Sequence, residues 1–296
     1  MRILVTGSSG FLGGHVARHL SEVAGMEVSR FDLLPDPDGS RVLQGDLGDP
    51  DALRRACRGV DVVAHFGAVG DVYLATEQPD LAHRINVDGT ANVARAAADV
   101  GARVVYASSW EVYGPPVYDP IDERHPCNPE HVYAITKLGG EEALRAAHAS
   151  SDLPVVILRL GTAYGTRMRP NAVFPRFANA ARSGAALVVH GTGRQWRQFT
   201  HATDIARAVR LAAESGLGDA TFNITADQSV TVLELAEMVA ARYGARVGFS
   251  EAREGDPHSA RISSAEAARV LGWRAEVGFS TGLSELLDDL DARHGS

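Results

Sequence analysis

Near the start of the chain stands the sequence Thr6-Gly7-Ser8-Ser9-Gly10-Phe11-Leu12-Gly13, in which three glycines are spaced three residues apart. A strand-like run over residues 2–6 leads into it, and a helical pattern near 11–22 follows it. Glycine lets the backbone approach a pyrophosphate closely, and the free N–H groups of a helix N-terminus attract its charge. The strand before this turn and the helix after it favour a dinucleotide site over an ordinary glycine turn. We therefore expect cofactor contacts from Gly7, Gly10, Phe11, Leu12 and Gly13.

Short β-rich runs alternate with helical stretches from residue 2 to about residue 160. The predicted strands cover 2–6, 26–31, 41–45, 60–66, 103–107 and 154–160. The predicted helices lie near 11–22, 50–58, 79–100 and 131–149. This order is typical of the α/β class and predicts a Rossmann-like, doubly wound parallel sheet.

After Gly165 the pattern becomes less regular. The predicted helices there lie near 171–183, 203–214, 231–243, 264–271 and 280–292, with short strands near 187–190 and 220–224. We predict a Rossmann domain over 1–165 and a smaller, mixed α/β substrate lobe over 166–296, with segments near 198–225 that can rejoin the first domain. No long linker separates the two parts, so we expect them to pack directly and to leave a cleft between them.

Composition narrows the classes of function. The chain has 296 residues, of which 45% are hydrophobic and 22% charged, as in a globular protein with a sizeable core. The net charge of −8 argues against a nucleic-acid binder. No signal peptide or membrane span is evident, and the two cysteines lack metal-ligand spacing. We therefore expect a cytoplasmic protein without a metal site.

Six arginines in the C-terminal half could line a local pocket for a diphosphate: Arg167, Arg169, Arg176, Arg194, Arg197 and Arg253. Arginine binds phosphate oxygens through two parallel N–H donors. Ordinary solvated surface arginine is the alternative for each of them.

The second predicted strand ends at Asp32, about 20 residues after the glycine turn. An acidic side chain at this place accepts hydrogen bonds from the adenosine ribose and repels a 2′-phosphate, so NAD is favoured over NADP. Arg30 is close by and could soften that preference. After the third strand, Asp46 and Leu47 are candidates to flank the adenine, although Gly45-Asp46 also suits a plain loop.

Lys137 is the only lysine among 29 lysine and arginine residues, and it follows Tyr133 by four positions in Tyr133-Ala134-Ile135-Thr136-Lys137. On a helix this spacing places both side chains on one face. A lysine ammonium can bind a ribose hydroxyl and lower the pKa of a nearby phenol. The pair is interpreted as an activated tyrosine base; the alternative is a chance pair on a solvated helix face. Ser109 stands at the carboxyl end of the fifth strand, which faces the ligand crevice in a parallel sheet.

The glycine turn at 7–13, the Tyr133 and Lys137 pair and the strand end at Ser109 together resemble the extended short-chain dehydrogenase/reductase superfamily, in its nucleotide-sugar epimerase and dehydratase branch. The resemblance covers nearly the whole chain and includes His65-Phe66-Gly67-Ala68, Asn86-Val87-Asp88-Gly89-Thr90, Arg197-Gln198-Phe199, Arg253-Glu254-Gly255-Asp256 and Leu271-Gly272-Trp273. It implies that Tyr133 is the general base, that Lys137 holds the nicotinamide ribose, and that Ser109 binds the reacting sugar hydroxyl. It also implies cofactor contacts from Phe66, Gly67, Ala68, Asn86, Tyr133 and Lys137.

Several positions depart from common patterns of that superfamily. Trp110 stands where the 4,6-dehydratases usually carry an aspartic acid that protonates the leaving hydroxyl, and an indole cannot replace it. Glu111 stands where dehydratases and sugar-acid decarboxylases keep a glutamate, so we count it as a candidate catalytic residue. Thr162 replaces a common asparagine that contacts the diphosphate, and Gln198 replaces an aspartate. We expect substrate contacts from Ser109, Trp110, Thr162, Arg197 and Arg253.

The leading hypothesis is an NAD-dependent nucleotide-sugar epimerase, an isomerase that inverts C4 of a UDP-sugar through a transient 4-keto intermediate. The alternatives are a dehydratase or decarboxylase that uses Glu111, a reductase or dehydrogenase with net turnover of cofactor, and an NAD-binding sensor without catalysis. The resemblance also implies a homodimer formed through the helices near 79–100 and 131–149.

Overall fold

The computed structural model describes residues 1–251 and 260–294. Its centre is a seven-stranded sheet in which every neighbouring pair of strands is parallel. The spatial order of the strands is β10-β6-β5-β4-β1-β2-β3. These strands are β1 (Arg2–Thr6), β2 (Glu27–Asp32), β3 (Leu43–Gln44), β4 (Val62–His65), β5 (Arg103–Ser109), β6 (Val155–Leu160) and β10 (Asp219–Ile224). The predicted doubly wound parallel sheet is thereby confirmed.

Helices cover both faces of this sheet. The described residues form the helices α1 (Phe11–Ser21), α2 (Pro50–Ala56), α3 (Val72–Glu77), α4 (Pro79–His83), α5 (Gly89–Ala98), α6 (Val132–Ser151), α7 (Val173–Arg182), α8 (Ala202–Glu214), α9 (Val232–Tyr243), α10 (Ala265–Val270) and α11 (Phe279–His294), of which α7, α9 and α11 pack in the second lobe. Helices α1 and α8 pack on one face and α2, α5 and α6 on the other. Every residue of β4 and β6 is buried, as expected for strands that are covered on both faces.

The second lobe contains two small sheets. One has the order β11-β9-β7, with strands β7 (Thr162–Tyr164), β9 (Trp196–His201) and β11 (Ser229–Thr231); the other pairs β8 (Leu187–His190) with β12 (Val247–Ser250). Phenylalanines at 174, 177, 199 and 279 form the centre of its core. The chain returns to the large sheet through α8 and β10, which pairs with β6. The division into a cofactor domain over 1–165 and a substrate lobe over 166–296 stays a prediction.

Some elements differ from those expected. The predicted helix over 79–100 is divided into α4, a π-helical turn at Arg84–Asp88, and α5. The predicted strand 41–45 has only two residues, at the edge of the sheet. Strands β7, β9, β11 and β12 and helix α3 were not predicted, because all but β9 are short and the strands pair with partners distant in the sequence. Among the described residues, no helix combines the length and apolar character needed to span a membrane.

Candidate active site

A cavity of about 810 Å³ opens at the carboxyl ends of β1, β2 and β4. Eight of the predicted cofactor residues line it: Gly7, Gly10, Asp32, Asp46, Leu47, Phe66, Gly67 and Ala68. Phe11, Leu12 and Gly13 form the first turn of α1 behind the glycine loop. Crevices at this edge of a parallel sheet are where such folds bind nucleotides.

The glycine loop suits a dinucleotide because its glycines, which lack a Cβ, allow the backbone to pack closely. Gly7 has a φ of +69°, and a Cβ there would lie 2.6 Å from the backbone of Phe66 and Gly67. A Cβ on Gly13 would lie 2.1 Å from the Gly7 carbonyl oxygen. These contacts fold the loop tightly against the segment after β4, and the loop brings the N-terminus of α1 to the cavity through Gly10.

Asp32 lies at the end of β2 beside this loop. Its Oδ2 accepts a hydrogen bond from the Ser9 N–H at 2.9 Å, and its Oδ1 accepts one from the Leu34 N–H at 3.0 Å. Carboxylate oxygens accept more than one donor, so the side chain can also receive ribose hydroxyls. The neighbouring Arg30 donates to Asp36 at 2.6 Å, which commits its guanidinium to a carboxylate and removes the reservation about NADP.

Three further residues that were predicted to contact the cofactor have structural partners. Asp46 Oδ1 accepts from the Gly48 N–H at 2.7 Å, which closes the loop, and Leu47 packs against Gly67. Asn86 is fully buried and bonds both backbone groups of Val69, at 2.8 and 3.2 Å. Asn86 thus fixes the loop after β4 from the π-helical turn.

The reactive residues meet where β5 ends and α6 begins. Ser109 is the last residue of β5, and its hydroxyl lies close enough to Tyr133, in the first turn of α6, to lower the pKa of that phenol. Lys137 follows one turn later, is 3% exposed, and places its Nζ 4.2 Å from the centre of the Tyr106 ring. The structure therefore brings the predicted serine, tyrosine and lysine together.

Burial controls the protonation of this group. It raises the pKa of Tyr133 well above 10, and the Glu111 carboxylate raises it further, while the Ser109 hydroxyl and Arg169 act in the opposite direction. Burial lowers the pKa of Lys137 to about 7, against the opposing influence of Glu141. A phenol in this state is not a base near neutral pH, and only an added positive charge beside it would make it one.

A buried ion pair lies one helical turn after Lys137. Glu141 lies one turn after Lys137 on α6 and accepts from the Ser108 hydroxyl at 2.6 Å. Arg159 on β6 binds the same carboxylate with two N–H donors, at 3.0 and 2.7 Å. Sequence reasoning missed this pair, although the four-residue spacing from Lys137 to Glu141 was a usable signal.

His131 is a second residue that the sequence analysis missed. Its Nδ1 caps α6 by accepting from the Ala134 N–H at 3.4 Å, and its Nε2 lies 3.6 Å from Glu111 Oε2. The imidazole is parallel to the Tyr133 ring, with centroids 6.2 Å apart. Burial raises the pKa of Glu111, whereas His131 and Arg197 lower it. A histidine two residues before the tyrosine was the available signal.

The predicted substrate residues Trp110, Thr162 and Arg197 share one small pocket with Gln198. Gln198 is buried there, and its amide cross-links Ala226 and Ile262 through three hydrogen bonds of 2.7–3.2 Å. Arg253 lies outside the described residues. Across residues 1–251 and 260–294, no group of three or more histidine, cysteine or acidic side chains is arranged to hold a metal ion.

Comparison with known proteins finds similarity to NAD-dependent epimerases and dehydratases. The model of the NAD dependent epimerase/dehydratase family matches residues 3–225. The solved structure of MoeE5 with UDP-glucose and NAD is 33% identical with a TM-score of 0.91, and the match covers 100% of both chains. DesIV, a dTDP-glucose 4,6-dehydratase from Streptomyces venezuelae solved with NAD, is 30% identical with a TM-score of 0.90, over 100% of this chain and 98% of that one. A putative UDP-glucose 4-epimerase of Methanocaldococcus jannaschii is 28% identical over 97% of each protein.

Proposed function

Because the chain belongs to the NAD dependent epimerase/dehydratase family, we propose that it is a nucleotide-sugar 4-epimerase that acts on a UDP-sugar. The main support for this proposal is that Ser109, Tyr133 and Lys137 lie together where β5 ends and α6 begins, with an indole at position 110. An indole N–H does not serve as a general acid, so this position offers no proton to a leaving hydroxyl. The similarity to MoeE5, solved with UDP-glucose and with UDP-glucuronic acid, supports a UDP-sugar as the substrate.

The cofactor cavity and the reactive group have separate tasks. The glycine loop would hold the pyrophosphate, and Asp32 the adenosine ribose. When bound, NAD supplies a hydride acceptor that can later return the hydride to the sugar.

Tyr133 would take the proton of the sugar 4-hydroxyl and give it back to the 4-oxygen after the sugar has turned. Ser109 lies beside the phenol, where its hydroxyl would hold the same sugar oxygen. The Lys137 ammonium would add positive charge on this face of α6, which favours the phenolate. Because proton and hydride both return, the product has the composition of the substrate.

Glu111 supports the second candidate function, a dehydratase or decarboxylase. Its side chain is only partly exposed and lies against His131, next to the tyrosine. A carboxyl group whose pKa is raised by burial is suited to proton transfer. The similarity to DesIV is in keeping with this alternative.

The test is incubation of the NAD-loaded protein with UDP-, dTDP- and GDP-sugars in deuterated water, followed by mass measurement of the products. We expect a new isomer of a UDP-sugar with unchanged mass and no carbon-bound deuterium. Loss of water or carbon dioxide, or deuterium at C5, would instead assign the chemistry to Glu111. If the NAD-loaded protein converted none of these sugars, both candidate functions would be refuted.

Tyr133→Phe separates an enzyme from an NAD-binding sensor. We expect conversion to fall by at least about 10³-fold with NAD content unchanged, because only the phenol proton acceptor is removed. Tyr243→Phe is the control, since it removes a phenol that bonds Asp291 at 2.7 Å in the second lobe. Equal activity of wild type and Tyr133→Phe would contradict the role given to the tyrosine.

A further inference from the structure

Residues 166–171, here called the strap, follow β7 and cross from the second lobe to the cofactor side of the molecule. The first residue of the strap contacts α1, because His15 Nε2 lies 2.9 Å from the Thr166 carbonyl oxygen. Since a carbonyl only accepts, this nitrogen carries the proton. The strap is thereby fixed to the helix that follows the glycine loop.

Arg167 extends from the strap to the loop after β2. Its Nη1 donates to Asp38 Oδ2 at 2.7 Å, and its Nη2 lies 3.6 Å from Asp36 Oδ1. The arginine side chain is 9% exposed and the Asp36 side chain 0%, so solvent screens this pair little. The backbone of Arg167 has a φ of +65°, a left-handed conformation that is uncommon for a residue with a side chain. The same guanidinium lies over Gly14 of α1, where a Cβ would be 3.0 Å from Nη1.

Arg169 extends from the strap in another direction, to the loop after β4. Its Nη1 donates to Asp71 Oδ2 at 2.6 Å, and its Nη2 to the Gly70 carbonyl oxygen at 3.3 Å. Asp71 also caps α3, because its Oδ1 accepts from the N–H groups of Tyr73 and Leu74. This pair is more exposed than the first, with 54% of the arginine side chain accessible.

The two loops stand on either side of the glycine loop, because β2 and β4 are the two neighbours of β1. Both loops contribute to the wall of the cofactor cavity, through Asp36 and Val69 respectively. The strap therefore joins the two side walls of the cavity from the opposite lobe. This use of Arg167 and Arg169 differs from the predicted diphosphate contact, since both guanidinium groups are bound to carboxylates.

We propose that Arg167 and Arg169 are cofactor-retaining residues, which keep the walls of the dinucleotide cavity together so that bound NAD is released only when the strap detaches. The inference goes beyond the proposed reaction and holds for an epimerase and a dehydratase alike. In both, the cofactor is regenerated within each turnover, so slow release is of use to the enzyme.

The test measures how fast labelled NAD leaves the holoprotein when excess unlabelled NAD is added, without any sugar. We expect Arg167→Gln to speed release by about 10-fold or more, and Arg169→Gln by about 3-fold, because loss of a buried charged contact acts mainly on dissociation. The control is Arg18→Gln. Arg18 bonds the same Asp38 oxygen at 3.0 Å from α1 and does not connect the lobes.

Release that is equally slow in all three variants would overturn the proposal. So would an Arg18→Gln variant that releases NAD as fast as Arg167→Gln, since the loop after β2 would then matter and the strap would not. Asp71→Asn provides a second route if Arg167→Gln fails to fold, because asparagine still caps α3. Asp71→Asn and Arg169→Gln should then speed release by the same factor, and the double variant by no more than either; multiplying factors would refute the link.

Discussion

At the scale of a single residue, the surroundings of Lys137 explain why this position has a lysine, although the other 28 of the 29 lysine and arginine residues are arginine. Its Nζ is enclosed between the Tyr106 ring and the helix that bears Glu141, with 3% exposure. A guanidinium is larger and planar and stays charged, whereas an ammonium is compact and can lose its proton. The pKa of about 7 follows from that burial. The sequence identified the special lysine, but only the folded surroundings explain its proton affinity.

His65 yields a prediction about pH at the same scale. It is fully buried and accepts at Nδ1 from the Thr6 hydroxyl at 2.7 Å, while Nε2 lies 3.0 Å from Thr90 Oγ1. Thr90 donates to the Asn86 carbonyl at 2.7 Å, so the imidazole is the donor to Thr90 and is neutral. Burial, assisted by Lys137, lowers the pKa of His65 to about 3.

The folded protein therefore does not take up a proton at His65 between pH 6.5 and about 3, whereas the unfolded chain does. Stability should fall as pH decreases below 6.5, and His65 should account for about 2 kcal/mol of the loss between pH 8 and pH 5. Urea unfolding of wild type and His65→Gln at both pH values measures this. The variant should lose about 2 kcal/mol less than wild type over the interval. His83→Gln, at a mostly exposed histidine, should behave as wild type.

At the scale of secondary-structure elements, the sequence predicted the helices and strands whose pattern lies within their own residues. The glycine turn, the parallel strands and α6 each carry their own pattern of glycines, apolar runs or helical spacing. The division of the helix expected over 79–100 was not predictable, because the π-helical turn serves a contact between Asn86 and Val69, 17 residues away. The Glu111 and His131 contact was missed for the same reason, since it forms only when α6 packs beside β5.

The glycine loop allows folding and cofactor binding to be separated by two substitutions of equal size. Gly13→Ala should destabilise the protein without cofactor by about 1–3 kcal/mol, because its Cβ would overlap the Gly7 carbonyl at 2.1 Å. Gly10→Ala should destabilise the protein less than Gly13→Ala, since the nearest atom to its Cβ is that carbonyl at 3.2 Å. Because Gly10 lines the cavity, the added methyl group should weaken NAD binding by about 10-fold or more. Denaturant unfolding and NAD titration of both variants measure the two effects; equal stabilities would contradict the assignment.

At the scale of the whole molecule, the C-terminal segment is fastened to the first lobe. Trp273 is fully buried in the core formed by α1, α8 and the sheet, and its Nε1 donates to the Asp204 carbonyl oxygen at 2.9 Å. The Asp204 carboxylate accepts from the N–H groups of Glu276 and Val277, both at 3.0 Å. The sequence indicated two closely packed lobes, but contacts across about 70 residues carry no local pattern and could not be placed in advance.

This fastening predicts that the two lobes unfold together. Trp273→Ala should cost about 3–5 kcal/mol, because it leaves a cavity in the core shared by the sheet and the C-terminal segment. Trp273→Phe should cost less, since it retains an aromatic ring and loses the bond to Asp204 and only part of the buried volume. Denaturant unfolding would be followed by circular dichroism and by the fluorescence of Trp110 and Trp196, which remain in both variants. The two signals should change in one coincident transition; a fluorescence transition separate from the circular dichroism transition in either variant would contradict joint unfolding.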